Sequence, residues 1–197
     1  ATDARPYIVA KGGRADGLRV VPAGDPLRIA GQSMVGALVV PVTRLDGTLT
    51  SLQFITPPET AKRLRANGSP GKLNLKGATV DGLFAVGKLT RGGVVYLCEG
   101  IGQAWACHQA TGGTAVVCFG WGRVRTVAEA IRYQDDNATL VLVPDVGMEA
   151  KADEVAKAVG ACVARMPEGW PQNGDVNDLI QREGLPALVQ VLAAAVP

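Results

Sequence analysis

Two acidic residues in this sequence each stand directly after a short apolar run. Glu99 follows VVYLC (Val94 to Cys98) and precedes Gly100, and Asp145 follows TLVLVP about 45 residues later. A carboxylate in such a place is costly to desolvate unless it is paired, hydrogen-bonded or bound to a cation. Several carboxylates converging on one edge repel one another, and a hard, oxygen-seeking ion such as Mg²⁺ relieves that repulsion. Each acid also has a plain structural reading, Glu99 as a helix-start acid favoured by the helix dipole and Asp145 as the cap of a helix beginning near Met148. The segment Gly174-Asp175-Val176-Asn177-Asp178-Leu179 offers further oxygen donors, or else simply the N-cap of a helix DLIQRE. His108 is the only histidine. With no second imidazole to share a metal, it reads as a packing residue beside Trp105.

The elements that must carry these acids follow from the apolar pattern. From Gly93 onward the chain alternates short apolar runs with helix-compatible stretches. The strands expected are Val94 to Cys98, Thr114 to Phe119, Thr139 to Val143 and Ala161 to Arg165. Between them fall a helix IGQAWACHQA ending at Gly112-Gly113, a helix opened by Thr126 with Glu129 at capping-box spacing, and a helix Met148 to Val159 ended by Gly160. Short helices at Asn177 to Arg182 and Leu185 to Val196 close the chain. Near-continuous apolar strands alternating with helices indicate a parallel sheet covered on both faces. In an open parallel sheet, ligands sit beyond the carboxyl ends of the strands, which is where Glu99 and Asp145 fall.

The first part of the chain has another texture, loops and short strands punctuated by glycine and proline. Leu38 to Val42 and Leu49 to Phe54 flank Asp46-Gly47, a turn dipeptide that suits a hairpin. Pro57 to Asn67 reads as a short basic helix, and strand-and-turn texture resumes from Gly68 to Gly87.

Charge divides along the same line. Residues 1 to 93 hold 13 Lys and Arg against 6 Asp and Glu, a net +7, while residues 94 to 197 hold 7 against 12, a net −5. A basic half joined to an acidic half fits a protein that grips a polyanion with one part and holds cations with the other. The four cysteines, Cys98, Cys107, Cys118 and Cys162, form no C-x₂-C pair, so neither a zinc ribbon nor a disulfide framework is indicated, and buried, reduced thiols are expected. No apolar run reaches the roughly 18 residues of a membrane span, and the N-terminus lacks a signal-peptide pattern, so a soluble, cytoplasmic protein without a membrane partner is expected. The start at ATDARPYIV reads as that of an excised domain.

The apolar strand ending in Glu99-Gly100, the strand ending in Pro144-Asp145, the helix after it and the late Gly174-Asp175-Val176-Asn177-Asp178-Leu179 together resemble the TOPRIM domain, above all that of plasmid- and phage-type DNA primases. The match covers roughly residues 93 to 185. A looser resemblance reaches upstream, through Arg5-Pro-Tyr-Ile-Val-Ala-Lys11-Gly12 and Gly17-Leu18-Arg19, and through Gly71-Lys72-Leu73-Asn74-Leu75-Lys76-Gly77 with Gly82-Leu83-Phe84. It implies an α/β fold, a Rossmann-like TOPRIM parallel sheet (93–197) preceded by a small, basic, β-rich N-terminal subdomain (1–92).

The resemblance further implies a catalytic core that joins ribonucleotides into primers on single-stranded DNA. Glu99 takes the general acid/base role, and Asp145 with Glu149, Asp175 and Asp178 takes Mg²⁺ or Mn²⁺. The expected partners are a single-stranded DNA template, nucleoside triphosphates, and a helicase or other replication proteins. Lys72, Lys76, Lys88, Arg63 and Arg65 are the phosphate contacts expected of the basic half, since phosphate neutralisation dominates nucleic-acid affinity. One departure is plain: the TOPRIM pattern has Asp-x-Asp after the later strand, and here it is Asp145-Val146-Gly147. That departure favours one alternative, a catalytically silent nucleotide- or nucleic-acid-binding module; a TOPRIM nuclease is the other alternative, within enzymology. With no zinc ribbon and no P-loop, template-reading and helicase parts are expected elsewhere.

Overall fold

The computed structural model describes residues 1–196, which divide into two compact units, Ala1–Phe84 and the residues from Ala85 onward. The first unit opens with a short helix α1 (Pro6–Ala10), followed by β1 (Arg19–Val20), β2 (Arg28–Ile29), β3 (Gln32–Ser33), β4 (Leu38–Thr43), β5 (Leu49–Ile55), α2 (Pro58–Ala66) and β6 (Lys72–Asn74). β4 and β5 form the hairpin expected around Asp46-Gly47, and β1 and β6 flank it in an antiparallel sheet of order β1-β4-β5-β6. The turn is fixed locally: the Asp46 carboxylate accepts the Thr48 N–H at 2.8 Å. A core of Val21, Met34, Ala37, Val39 and Phe54 packs under the sheet, with Leu27, Ile29, Leu52 and Leu73 against it. The basic helix expected after Pro57 is α2. α1 was not expected; Pro6 at its start is pre-set for a helical φ, and only Ile8 among its residues is buried.

The strand β7 (Phe84–Val86) stands at the junction, and the remaining elements are β8 (Val94–Cys98), α3 (Ile101–Thr111), β9 (Thr114–Val117), α4 (Val124–Gln134), β10 (Thr139–Val143), α5 (Glu149–Val159), β11 (Cys162–Val163), α6 (Val176–Glu183) and α7 (Leu185–Ala195). They build a sheet of order β11-β10-β8-β9-β7 in which β9, β8, β10 and β11 run parallel. The apolar runs behave as their composition requires: β9 is wholly buried, and β8 and β10 are buried beyond their first residues.

Helix placement follows from crossover handedness. β8 connects through α3 to β9 on one side, whereas β9 returns past β8 to β10 through α4, and β10 continues through α5 to β11. Right-handed crossovers in opposite directions put α3 on one face and α4 with α5 on the other. Accordingly α3 packs with α6 and α7, and α4 with α5. The connections leaving β8 and β10 therefore diverge, which makes the crevice at the carboxyl ends of these two strands the topological switch point.

Two local expectations need correction. α4 begins at Val124, after a single 3₁₀ turn at Trp121–Arg123, and has no side-chain cap, so Thr126 does not open it. Glu129 instead pairs with Arg125 one turn earlier, Nε to Oε1 at 2.8 Å, and the burial of Val124, Val127, Ala128 and Ile131 decides the start. Each such Val or Ile contributes about 1.5–3 kcal/mol on full burial. The second strand also stops at Val117, because Phe119 turns into the left-handed region at φ 61°. Among the described residues, no helix is long and apolar enough to cross a membrane.

Candidate active site

β8 and β10 are in register to their last residues, with Cys98 opposite Val143. Adjacent strands lie about 4.8 Å apart, so the chain leaves the two strands side by side, carrying Glu99 from one and Pro144-Asp145 from the other. Both acids are half-buried. Glu99 precedes the N-cap Gly100 of α3 and lies outside its first turn. Asp145 is not a cap either, since Met148 holds that position for α5.

What holds Asp145 is Gln103, in the first turn of α3 and 3% exposed. Its Nε2 donates to Asp145 Oδ1, while its Oε1 accepts the Gly100 N–H at 3.1 Å. One buried carboxamide thus ties the turn after Glu99 to the acid on the neighbouring strand. Sequence reasoning missed it, because a glutamine inside an apolar helical stretch gives no sign of its partner.

The late acidic segment comes to the same place. Val146 N–H donates to the Gly174 carbonyl at 2.9 Å, and Asn173 N–H to the Val146 carbonyl at 3.0 Å, which lays residues 173–175 alongside the residue after Asp145. Asp175 then caps α6: its carboxylate accepts the Asn177 and Asp178 N–H groups at 2.8 and 2.9 Å. The Asp178 carboxylate accepts the Asp175 N–H at 3.2 Å in return. Asn177, 1% exposed, donates through Nδ2 to the Gly102 carbonyl at 3.2 Å and so fastens α6 to the start of α3. Glu149 turns back on its own helix, its Oε2 accepting the Gly147 N–H at 2.8 Å. The register of β8 and β10 thus sets Glu99 and Asp145 side by side and the Gly174 backbone lies against Val146, while Asp175, Asp178 and Glu149 all serve helix starts.

The floor beneath the acids is uncharged. Burial pushes the Cys118 thiol up to about 12, and burial followed by the neighbouring Cys107 raises Cys98 well above its ordinary value. Cys98 and Cys107 sulfurs lie 3.9 Å apart. Two charges flank Cys118: after burial itself, the nearby Arg123 guanidinium lowers its pKa and Glu99 raises it. Arg123, half-buried, ends the 3₁₀ turn after β9, and the Gly120 N–H donates to the Glu99 carbonyl at 3.3 Å. This cation on the same edge was also missed. The backbone that delivers it is strained, since a left-handed conformation at a residue such as Phe119 costs about 1–3 kcal/mol.

Among the described residues, no group of three or more His, Cys, Asp or Glu side chains is arranged to hold a metal ion. A fully caged ion does not suit this edge. An ion that keeps most of its coordination for phosphate and water does, because Mg²⁺ takes as few as one or two carboxylates, and Glu99, Asp145 and Asp175 are oxygen donors.

The basic residues fall in two groups. Arg63 and Arg65 are exposed on α2, and Lys72 and Lys76 are exposed on and just after the edge strand β6. Lys88 belongs to the second unit, exposed beyond β7, with its carbonyl accepting the Thr114 hydroxyl at 2.5 Å. His108 is half-buried, with Nδ1 lying 2.7 Å from the Gly113 carbonyl.

No protein-family model matches the chain. No curated protein matches it. Among solved structures it is similar to the DnaG primase catalytic domain bound to ssDNA, at 16% identity and TM-score 0.62, covering 100% of this chain and 73% of that one. It is similar to the primase fragment of the bacteriophage T7 primase-helicase protein, at 16% identity and TM-score 0.58, covering 84% and 65%. A third likeness is to the zinc-binding and RNA polymerase domains of the Aquifex aeolicus primase, at 15% identity and TM-score 0.57, covering 95% and 45%. The chain thus spans less than two thirds of the T7 and Aquifex chains. Its fold is the mixed α/β fold of primase catalytic cores.

Proposed function

We propose that the chain is the catalytic part of a DNA primase, with a TOPRIM domain at residues 93–197 and a basic, β-rich subdomain at residues 1–92, and that it joins ribonucleotides on single-stranded DNA. The observation that supports this reading is the register of β8 and β10, whose adjacent ends lead into Glu99 and Asp145 at the switch point, in a fold shared with primase catalytic cores. Glu99 takes the proton from the attacking hydroxyl, a role for which a half-buried carboxylate at hydrogen-bonding reach is suited. Asp145, held by Gln103, and Asp175 supply oxygen ligands for Mg²⁺ or Mn²⁺. When bound, such an ion neutralises triphosphate charge at the point of in-line displacement. Arg123 adds a guanidinium suited to phosphate oxygens, and Arg63, Arg65, Lys72, Lys76 and Lys88 contact the phosphates of the strand.

A second reading, a silent nucleotide-binding module, is favoured by the single acid of Asp145-Val146-Gly147. Titration of Mn²⁺ by electron paramagnetic resonance, with and without a nucleoside triphosphate, tests the metal assignment. Asp145→Asn should weaken Mn²⁺ retention in the presence of nucleotide while the thermal melt stays that of wild type. An unchanged titration would remove Asp145 from the site.

A further inference from the structure

A groove of about 610 Å³ lies wholly within the first unit, between α1, the end of β5, α2 and the stretch leading into β6. Its volume falls in the roughly 300–1,000 Å³ range of small-ligand sites. Tyr7, Ile55, Pro58 and Pro70 give it apolar walls, and the only charged residues lining it are two cations, Arg65 and Lys72.

Arg65 is seated there by close packing. Thr56 donates both its N–H, at 3.1 Å, and its hydroxyl, at 2.8 Å, to the Gly71 carbonyl, which fixes Gly71 against α2. A side chain at Gly71 would come within 3.3 Å of Arg65 Nη2 and 3.2 Å of Ala61 Cβ. The missing side chain leaves room for the guanidinium beside Gly71, and Arg65 and Lys72 line the same groove.

An aromatic ring and proline walls beside two cations match one nucleotide of a single strand: every base has a π-face to stack, and every phosphate a charge to neutralise. An apolar peptide would gain nothing from the paired cations, and the lining has no acid to meet a basic one. We propose that this groove takes one nucleotide of a single-stranded nucleic acid, its base stacked on Tyr7 and its phosphate on Arg65 and Lys72. The proposal rests on the nucleic-acid reading above and adds a base contact that phosphate-binding cations do not supply.

Fluorescence anisotropy of the whole chain with two labelled probes tests it: single-stranded oligothymidylate, and an abasic deoxyribose-phosphate oligomer of equal length and charge. The wild type prefers the oligothymidylate by about 5- to 150-fold, the range expected for losing one stacked base. Tyr7→Ala brings the two probes near parity without changing abasic binding. Ala10→Trp does the same by filling the groove from an exposed position that leaves the core untouched. A wild type that binds both probes equally, or an undiminished preference in both variants, overturns the proposal. Ribonucleotide joining is scored separately. A Tyr7-dependent preference in a chain that joins no ribonucleotides supports the groove and sinks the catalytic reading, whereas joining with equal probe binding does the reverse.

Discussion

Gln103 uses both ends of its carboxamide, accepting from Gly100 and donating to Asp145, and it does so almost fully buried. Gln103→Leu removes both bonds, worth about 0.5–1.5 kcal/mol for the one to the Gly100 N–H and about 1.5–3 kcal/mol for the one to the carboxylate. The unfolding midpoint should fall by about 2–4 °C for each kcal/mol lost in a chain of this size. A thermal melt identical to wild type would show that neither bond contributes. The thiols beneath the site give a second prediction at this scale. Below the ordinary thiol pKa of about 8.5, Cys118 is neutral in both the folded and unfolded chain. Above it, the unfolded chain releases a proton that the folded chain keeps up to about 12, so stability falls across that window as pH rises. Cys118→Ala should flatten the alkaline fall in the unfolding free energy from urea titration by up to roughly 1.4 kcal/mol per pH unit. Superimposable pH profiles of wild type and variant would contradict the buried, neutral thiol.

Among the elements, the loop from β10 into α5 explains the departure at Gly147. Its φ is 95°, and a Cβ there would run into the Gln172 carboxamide, which itself donates to the Val146 carbonyl at 3.1 Å. The exposed Gln172 can swing away, but the backbone angle cannot be relieved so easily. Gly147→Asp is therefore expected to cost about 1–3 kcal/mol without strengthening Mn²⁺ binding. Tighter Mn²⁺ binding at an unchanged melting midpoint would show that the acid is accommodated. Elements with strong patterns were legible in sequence. VVYLC, TLVLV and Met148 to Val159 declare themselves because burial on both faces demands unbroken apolar runs, and a solvent-facing helix demands periodic ones. α1 did not, because a five-residue helix with one buried side chain leaves no period to read. The start of α4 did not either, because Thr126 and Glu129 mimic a capping box while Val124 decides the boundary by burial.

For the whole molecule, the sequence shows each acid after its apolar run but not the strand order that sets the two runs side by side. Strand order depends on crossover direction, which no residue encodes singly, and the order β11-β10-β8-β9-β7 puts the ends of β8 and β10 at one switch point. Gln103 and Arg123 stayed hidden for the same reason, their roles being set by what the topology brings beside them. The charge division takes a particular form in three dimensions: Arg63, Arg65, Lys72 and Lys76 are exposed in the first unit, and Glu99 and Asp145 follow the adjacent ends of β8 and β10 in the second. The most direct measurement of the central claim is incorporation of labelled ribonucleotides on a single-stranded DNA template with Mg²⁺ or Mn²⁺, run side by side for wild type and Glu99→Gln with thermal melts of both. Template-dependent oligoribonucleotides are expected from the wild type and joining slowed by about 10²- to 10⁴-fold in the variant, at matching melting midpoints; full activity in Glu99→Gln, or none in the wild type, would contradict the catalytic role of Glu99.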